Sequence, residues 1–213
     1  MTPAFRDAPF RDASCRLCPR LAEFIDQSRI KNPDWHNAPV NGFGPLDAPL
    51  AIVGLAPGMR GANRTGRPFT GDFAGDLLFQ MLDEFGLSNG TYQAEADDGV
   101  TLKGLRIINS VRCVPPENKP TSAEINTCRQ FLIQELAAMP NLNTIITLGG
   151  IGHKSCLKAL NLREKIYPFT HNGCYDLPDG RRIISSYHCS RYNTQTGRLT
   201  PDMFRAVFAN ALA

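Results

Sequence analysis

The stretch LAIVGLAPGMRGANRTGRPFTGD, residues 50–72, opens on a short apolar, β-branched run and breaks into a loop of glycines and arginines. The run Leu50–Leu55 is too short for a helix and reads as a strand buried on both faces. Three more runs of the same kind follow: Leu105–Val111, Thr144–Leu148 and Arg182–Tyr187. Helical patterns lie between and beyond them. Asp72–Phe85 stops at Gly86, a C′ glycine, and Ser122–Met139 opens with the capping box Thr121-x-x-Glu124. Gly152–Leu160 is shorter, and Pro201–Leu212 follows Thr200, an N-cap with proline at the first helical position. Strands alternating with helices predict an α/β protein whose mostly parallel sheet carries helices on both faces.

Composition narrows the class. With 213 residues, 42% of them hydrophobic, the chain can bury one full core, and a single domain over residues 1–213 is expected. No apolar run approaches the roughly 20 residues of a membrane helix, so no membrane partner is expected. The N-terminal MTPAFRDAPFRDASC carries charges where a secretory leader needs an apolar core, which predicts a cytoplasmic protein. The net charge of +3 is too small to imply nucleic-acid binding by itself; any such case rests on where the arginines sit.

In a parallel α/β sheet, ligands bind beyond the carboxyl ends of the strands. The segments leaving the four runs are therefore expected to converge. Gly54–Asp72 holds five glycines, among them Gly54 and Gly58, and three arginines, Arg60, Arg64 and Arg67, around Phe69. Glycine lets a backbone approach a ligand closely, and arginine meets phosphate bidentately. The segment has neither the Lys-Ser/Thr ending of a P-loop nor GxGxxG spacing. Phe69 fits a core aromatic or a platform for a stacked base. Asp72 fits an N-cap, or a carboxylate whose proton affinity the helix N–H groups hold low.

Asn109, polar at the end of an apolar strand, offers the donor and acceptor that a base edge requires. His188 ends the fourth strand, and Ser190, Arg191, Tyr192, Asn193 and Arg198 follow as a basic, aromatic loop suited to a DNA backbone or a gap in the base stack.

The seven cysteines, an odd number, argue against a disulfide framework. Cys15 and Cys18 form a CxxC among Arg16, Pro19 and Arg20, while Cys113 and Cys128 form a pair with 14 residues between them. Such spacings suit a four-cysteine metal centre, either zinc or an iron–sulfur cluster. Cys156, in HKSCLKAL, reads as a buried apolar residue.

Together these residues resemble the uracil-DNA glycosylase superfamily, in particular its iron–sulfur branch, family 5 or type B. The resemblance rests on Gly54–Asp72, on Asn109 to Cys113 with Pro115-Pro116, on the Cys128 helix and on His188-Cys-Ser, and covers most of the chain. It implies a three-layer α/β/α sandwich on a four-stranded parallel sheet and a [4Fe-4S] cluster on Cys15, Cys18, Cys113 and Cys128. It implies a monomeric DNA-repair enzyme that removes uracil, and in the broader expectation hypoxanthine, xanthine or etheno-cytosine, from double- or single-stranded DNA.

By the same resemblance, Phe69 stacks on the flipped base, Asn109 contacts its edge, and His188 bonds O2 and stabilises the departing anion. Gly54, Ala56 and Gly58 line the base pocket, and Asp72 lies near the sugar. Leu55 and Ala56 stand where other branches carry an acid, and Cys189 replaces a usual proline. The alternatives are a non-catalytic or covalent uracil-DNA binder and an iron–sulfur electron carrier. The second leaves the Gly/Arg/Phe loop without a purpose.

Overall fold

The computed structural model describes residues 13–213; most of the charged stretch that argues against a secretory leader falls on residues 1–12 and lies outside the described residues. Four runs form strands where the sequence places them: β1 at Leu50–Gly54, β4 at Leu105–Asn109, β5 at Thr144–Leu148 and β7 at Arg182–Ser186. They lie parallel in the order β4-β1-β5-β7. A fifth strand, β6 at Cys174–Asp176, was not expected and pairs antiparallel with β7 at the sheet edge. Three residues that alternate exposed and half-buried carry no apolar run to betray them. A two-residue hairpin, β2 at Ser88–Asn89 with β3 at Thr101–Leu102, stands apart from the sheet.

Period-two alternation sends the strand side chains to two cores. Leu50 and Ile52 face one side, with α3 (Phe73–Glu84) and α7 (Pro201–Leu212), whose Leu78, Met81, Leu82, Phe204 and Phe208 are fully buried. Ala51 and Val53 face the other, against Leu132 and Leu136 of α4 (Ser122–Ala137) and Leu157 of α5 (Gly150–Ala159). Each such large side chain contributes roughly 1.5–3 kcal/mol when fully buried, which fixes the layers on the sheet. The result is the expected three-layer α/β/α arrangement.

The helix ends follow their sequence signals. Thr121 and Glu124 form both bonds of the capping box, Thr200 Oγ1 accepts from Met203 N–H at 3.2 Å, and Gly86 takes φ +66° beyond α3, where Leu87 N–H reaches back to Leu82 O at 2.8 Å. Three α-helices among the described residues were not anticipated: the short α2 (Ala62–Thr65) and α6 (Arg191–Gln195), both expected as loop, and α1, Pro19–Lys31, which buries Leu21 and Ile25 against Val111, Val114 and Cys128 in a third, smaller core. Arg20 clamps α1 to the start of α4 through Glu124, at 2.7 and 2.8 Å. None of the described helices is long and apolar enough to cross a membrane.

Candidate active site

Gly54 ends β1 and Asn109 ends β4, and the two are register partners across the ladder. The loop after β1 brings Phe69 back over this junction. A Cβ on Gly54 would lie 2.7 Å from Asn109 Oδ1 and 2.8 Å from the Phe69 ring, so only glycine lets all three meet. Phe69 is buried with φ +53°, a left-handed conformation that costs a bulky residue on the order of 1–3 kcal/mol. Tyr92 holds it there: its hydroxyl donates to Phe69 O and accepts from Gly71 N–H, each at 3.3 Å. Asn109 is buried, and among the described residues its Oδ1 meets no donor. A buried, unpartnered carboxamide oxygen costs about 1–3 kcal/mol, and an N–H arriving with a ligand would relieve it.

His188 follows β7 and stacks beside Phe69, with ring centroids 5.9 Å apart and planes inclined by 26°. The ring nitrogens meet no partner among the described residues, and burial alone holds the imidazole at a pKa of about 4. It is therefore neutral at neutral pH, with one N–H to donate. Its backbone is fixed on two sides. Asn193 Nδ2 donates to His188 O at 2.8 Å, and the Cys189 thiol donates to Ala74 O at 3.4 Å. The cysteine that stands where a proline was usual is thus a tie from the His188 loop to the first turn of α3.

Asp72 caps α3, its Oδ1 accepting from Gly75 N–H at 3.1 Å. Its Oδ2 faces the loop, where a Cβ on Gly61 would come within 2.3 Å and one on Gly58 within 2.8 Å. The expected low proton affinity is corrected here: burial pushes the carboxyl up, outweighing the N–H groups of Gly75 and Ala74. Its charge also reaches across to Cys189, whose pKa is raised by burial and by Asp72, so the carboxylate and the His188 loop share one space.

The cations divide into two sets. Arg60, Arg191 and Arg198 are exposed and meet no carboxylate among the described residues; Arg191 lies over Phe73 and Arg198 over Tyr187. Tyr192 projects beside them, 71% exposed, on α6, Arg191–Gln195, which Ser190 caps. Arg64 is already paired with Glu95 at 2.9 Å. Arg67 corrects the sequence expectation of a phosphate contact. Its guanidinium is buried, forked onto Asp98 at 2.7 Å twice and bonded to Thr70 at 2.8 Å. Asn193 likewise spends its amide inward on His188 O rather than outward.

At the far side of the loop, Cys15, Cys18, Cys113 and Cys128 line one pocket with Leu17, Leu21, Phe131 and Arg112. Ala56, expected at the base pocket, packs against the core beneath these cysteines. Burial and the neighbouring thiols push Cys113 up to about 12, and burial pushes Cys128 up to about 11. Among the described residues, no group of three or more His, Cys, Asp or Glu forms a site for a metal ion. The four thiols share one pocket. Cys156 and Cys189 are buried elsewhere, and Cys174 is exposed.

Tyr92 and Asp98 were invisible as site residues, because they act on the loop from 21 to 31 positions away. Only the fold brings them there.

The uracil DNA glycosylase superfamily model matches residues 41–212. The type-5 uracil-DNA glycosylase of Thermus thermophilus is 44% identical over 204 residues, covering 93% of this chain and 92% of that protein. The type-5 enzyme of Pyrobaculum aerophilum is 36% identical over 207 residues, covering 95% and 90%. A type-4 uracil-DNA glycosylase of Thermotoga maritima is 35% identical over 111 residues, covering 52% and 50%.

Proposed function

The chain belongs to the uracil DNA glycosylase superfamily, and from that membership we infer that it is a uracil-DNA glycosylase that hydrolyses the N-glycosidic bond of uracil in DNA. The observation that carries the assignment of roles is the junction of Gly54, Phe69, Asn109 and His188 at the carboxyl ends of three parallel strands.

A base must leave the duplex stack to reach this junction, at a cost of a few kcal/mol that is lowest for a mismatched base. Arg60, Arg191 and Arg198 hold phosphates, and Tyr192 enters the gap left behind. Phe69 stacks on the extruded base. The unpartnered Asn109 Oδ1 accepts from an imide N–H, a group that uracil presents and cytosine does not. As the bond breaks, negative charge grows on the base and positive charge on the sugar. Neutral His188 donates an N–H to the first, and Asp72 faces the second.

Hypoxanthine and xanthine also carry a ring N–H beside a carbonyl, so they are proposed as further substrates. Release of free base from duplexes bearing uracil, hypoxanthine, xanthine or etheno-cytosine grades this breadth. Excision confined to uracil would remove the wider claim.

Gly54→Ala is expected to lower the single-turnover rate on the order of 10²-fold, because the new methyl displaces both Asn109 and Phe69. An alanine variant with wild-type rate would remove the junction from the mechanism. Asp72→Asn keeps the helix cap and deletes the charge. It is expected to slow chemistry while DNA affinity and melting temperature hold. The carboxylate form is the active one, so activity falls as pH drops through its raised pKa. The acid limb of kcat/KM should therefore lie above the ordinary aspartate value of about 3.9 and vanish in the Asn variant. An acid limb unchanged in that variant would exclude Asp72 from the role.

For the cysteine pocket we propose the [4Fe-4S] cluster. The donors are all soft thiols, which suit zinc or iron–sulfur centres. Four thiols from a CxxC and a wider pair are the ligand set that the sequence resemblance assigns to such a cluster. The cluster, when bound, ties the Cys15–Cys18 segment to the β4–α4 connection, and no step of base removal is assigned to it. An iron count with a visible spectrum on anaerobically purified protein distinguishes the two metals.

A further inference from the structure

Arg112 is 5% exposed and lies between Ser110, which bonds Gly54 O, and the ligand candidate Cys113. A buried guanidinium is normally paired with a carboxylate. Among the described residues, none meets this one. One terminal nitrogen, Nη2, donates to Asn41 Oδ1, and the guanidinium carbon lies 5.0 Å over the Phe131 ring. Among the described residues, Nε and Nη1 are buried with no acceptor. Arg112 also lines the pocket that holds Cys15, Cys18, Cys113 and Cys128, and its own backbone N–H donates to Cys128 Sγ at 3.3 Å. A buried cation with two idle donors thus shares a cavity with four thiols.

We propose that Arg112 is the counter-charge of the cysteine-bound cluster, its Nε and Nη1 donating to the cluster's sulfur atoms while Asn41 and Phe131 hold the guanidinium plane in place. This rests on the cluster assignment above. The physical need runs both ways. Four thiolates around an iron–sulfur core leave net negative charge in a low-dielectric pocket, and among the described residues the arginine faces no other anion. Arg112 is in this sense a positioning residue for the cofactor, joining the strand end that carries Asn109 to the cluster.

The test uses the full chain purified anaerobically, with Arg112→Met and Arg112→Lys beside the wild type. Iron release to a strong ferrous chelator is followed at the cluster absorption band, and the midpoint potential is measured on the same samples. Arg112→Met is expected to lose iron about 10–100-fold faster, as for other outer-shell substitutions at metal sites. Its potential should shift downwards, because removing a nearby cation disfavours the more negative reduced form. Arg112→Lys, which keeps the charge and loses the fork, should fall between.

Variants that are folded, fully loaded with iron and indistinguishable from wild type in both readouts would overturn the role of Arg112. If the Met variant does not fold, the Lys variant decides: wild-type iron release and wild-type potential there would overturn the donor assignment. A wild-type protein without iron overturns the cluster assignment itself, and the iron count reports that before any variant is compared.

Discussion

His188→Ala is expected to lower the single-turnover rate of uracil release by about 10²–10³-fold, the usual consequence of losing one donor to a developing anion. The structure gives reasons for so large an effect from an uncharged side chain. Among the described residues the imidazole meets no hydrogen-bond partner; it stays neutral and stands against the ring of Phe69, where the extruded base must lie. Its main chain is clamped by Asn193 and, through Cys189, by Ala74, so the N–H is aimed before substrate arrives. Affinity for uracil-containing duplex should change far less than the rate, since the donor acts mainly as charge develops on the base. His188→Gln, which keeps an N–H, should recover part of the loss. A His188→Ala enzyme at wild-type rate would exclude the histidine from leaving-group stabilisation.

Asp98→Asn is expected to destabilise the protein by about 3–5 kcal/mol, because it leaves the Arg67 guanidinium buried and unpaired. For a chain of this size that is a fall in melting temperature of roughly 10 °C. The N–H groups of Gln93 and Val100 bond different oxygens of Asp98, so the asparagine keeps an acceptor for one of them and loses the other together with the charge. Burial alone would raise the Asp98 carboxyl, yet Arg67 and those two N–H groups hold it down at about 2. A group depressed in this way contributes stability above the ordinary aspartate pKa and loses it as the pH falls towards 2. The acid limb of wild-type stability should therefore be shallower in the Asn variant. Adding Arg67→Met should restore most of the lost stability, and a double-mutant cycle measures the coupling. A coupling near zero would show that the pair does not brace the loop.

That pair also marks where sequence reading reached its limit. The strands Leu50–Gly54, Leu105–Asn109, Thr144–Leu148 and Arg182–Ser186 were legible because runs buried on both faces are written in β-branched residues. The caps at Asp72, Thr121 and Thr200 were legible because a side-chain acceptor and a helix start are neighbours in the chain. Which arginine of the loop turns inward was not legible. Arg60, Arg64 and Arg67 look alike in the sequence, and the acid that captures Arg67 lies 31 positions on.

The proton affinity of Asp72 failed for a related reason. The cap predicts a lowered pKa, whereas the burial that reverses it comes from the packing of Gly58 and Gly61 against the carboxylate. The edge strand Cys174–Asp176 escaped notice because its pattern is set by pairing with β7 rather than by an apolar face of its own.

The most direct measurement is strand scission of an end-labelled duplex carrying a single uracil, incubated with excess iron-loaded protein and then treated with alkali. The expected result is cleavage at the uracil position only, only after alkali, with undamaged duplex intact, as a monofunctional glycosylase leaves an abasic site. An unbroken strand, or a protein–DNA species that survives denaturing electrophoresis, would contradict hydrolysis and identify instead a protein that captures uracil in DNA without releasing it.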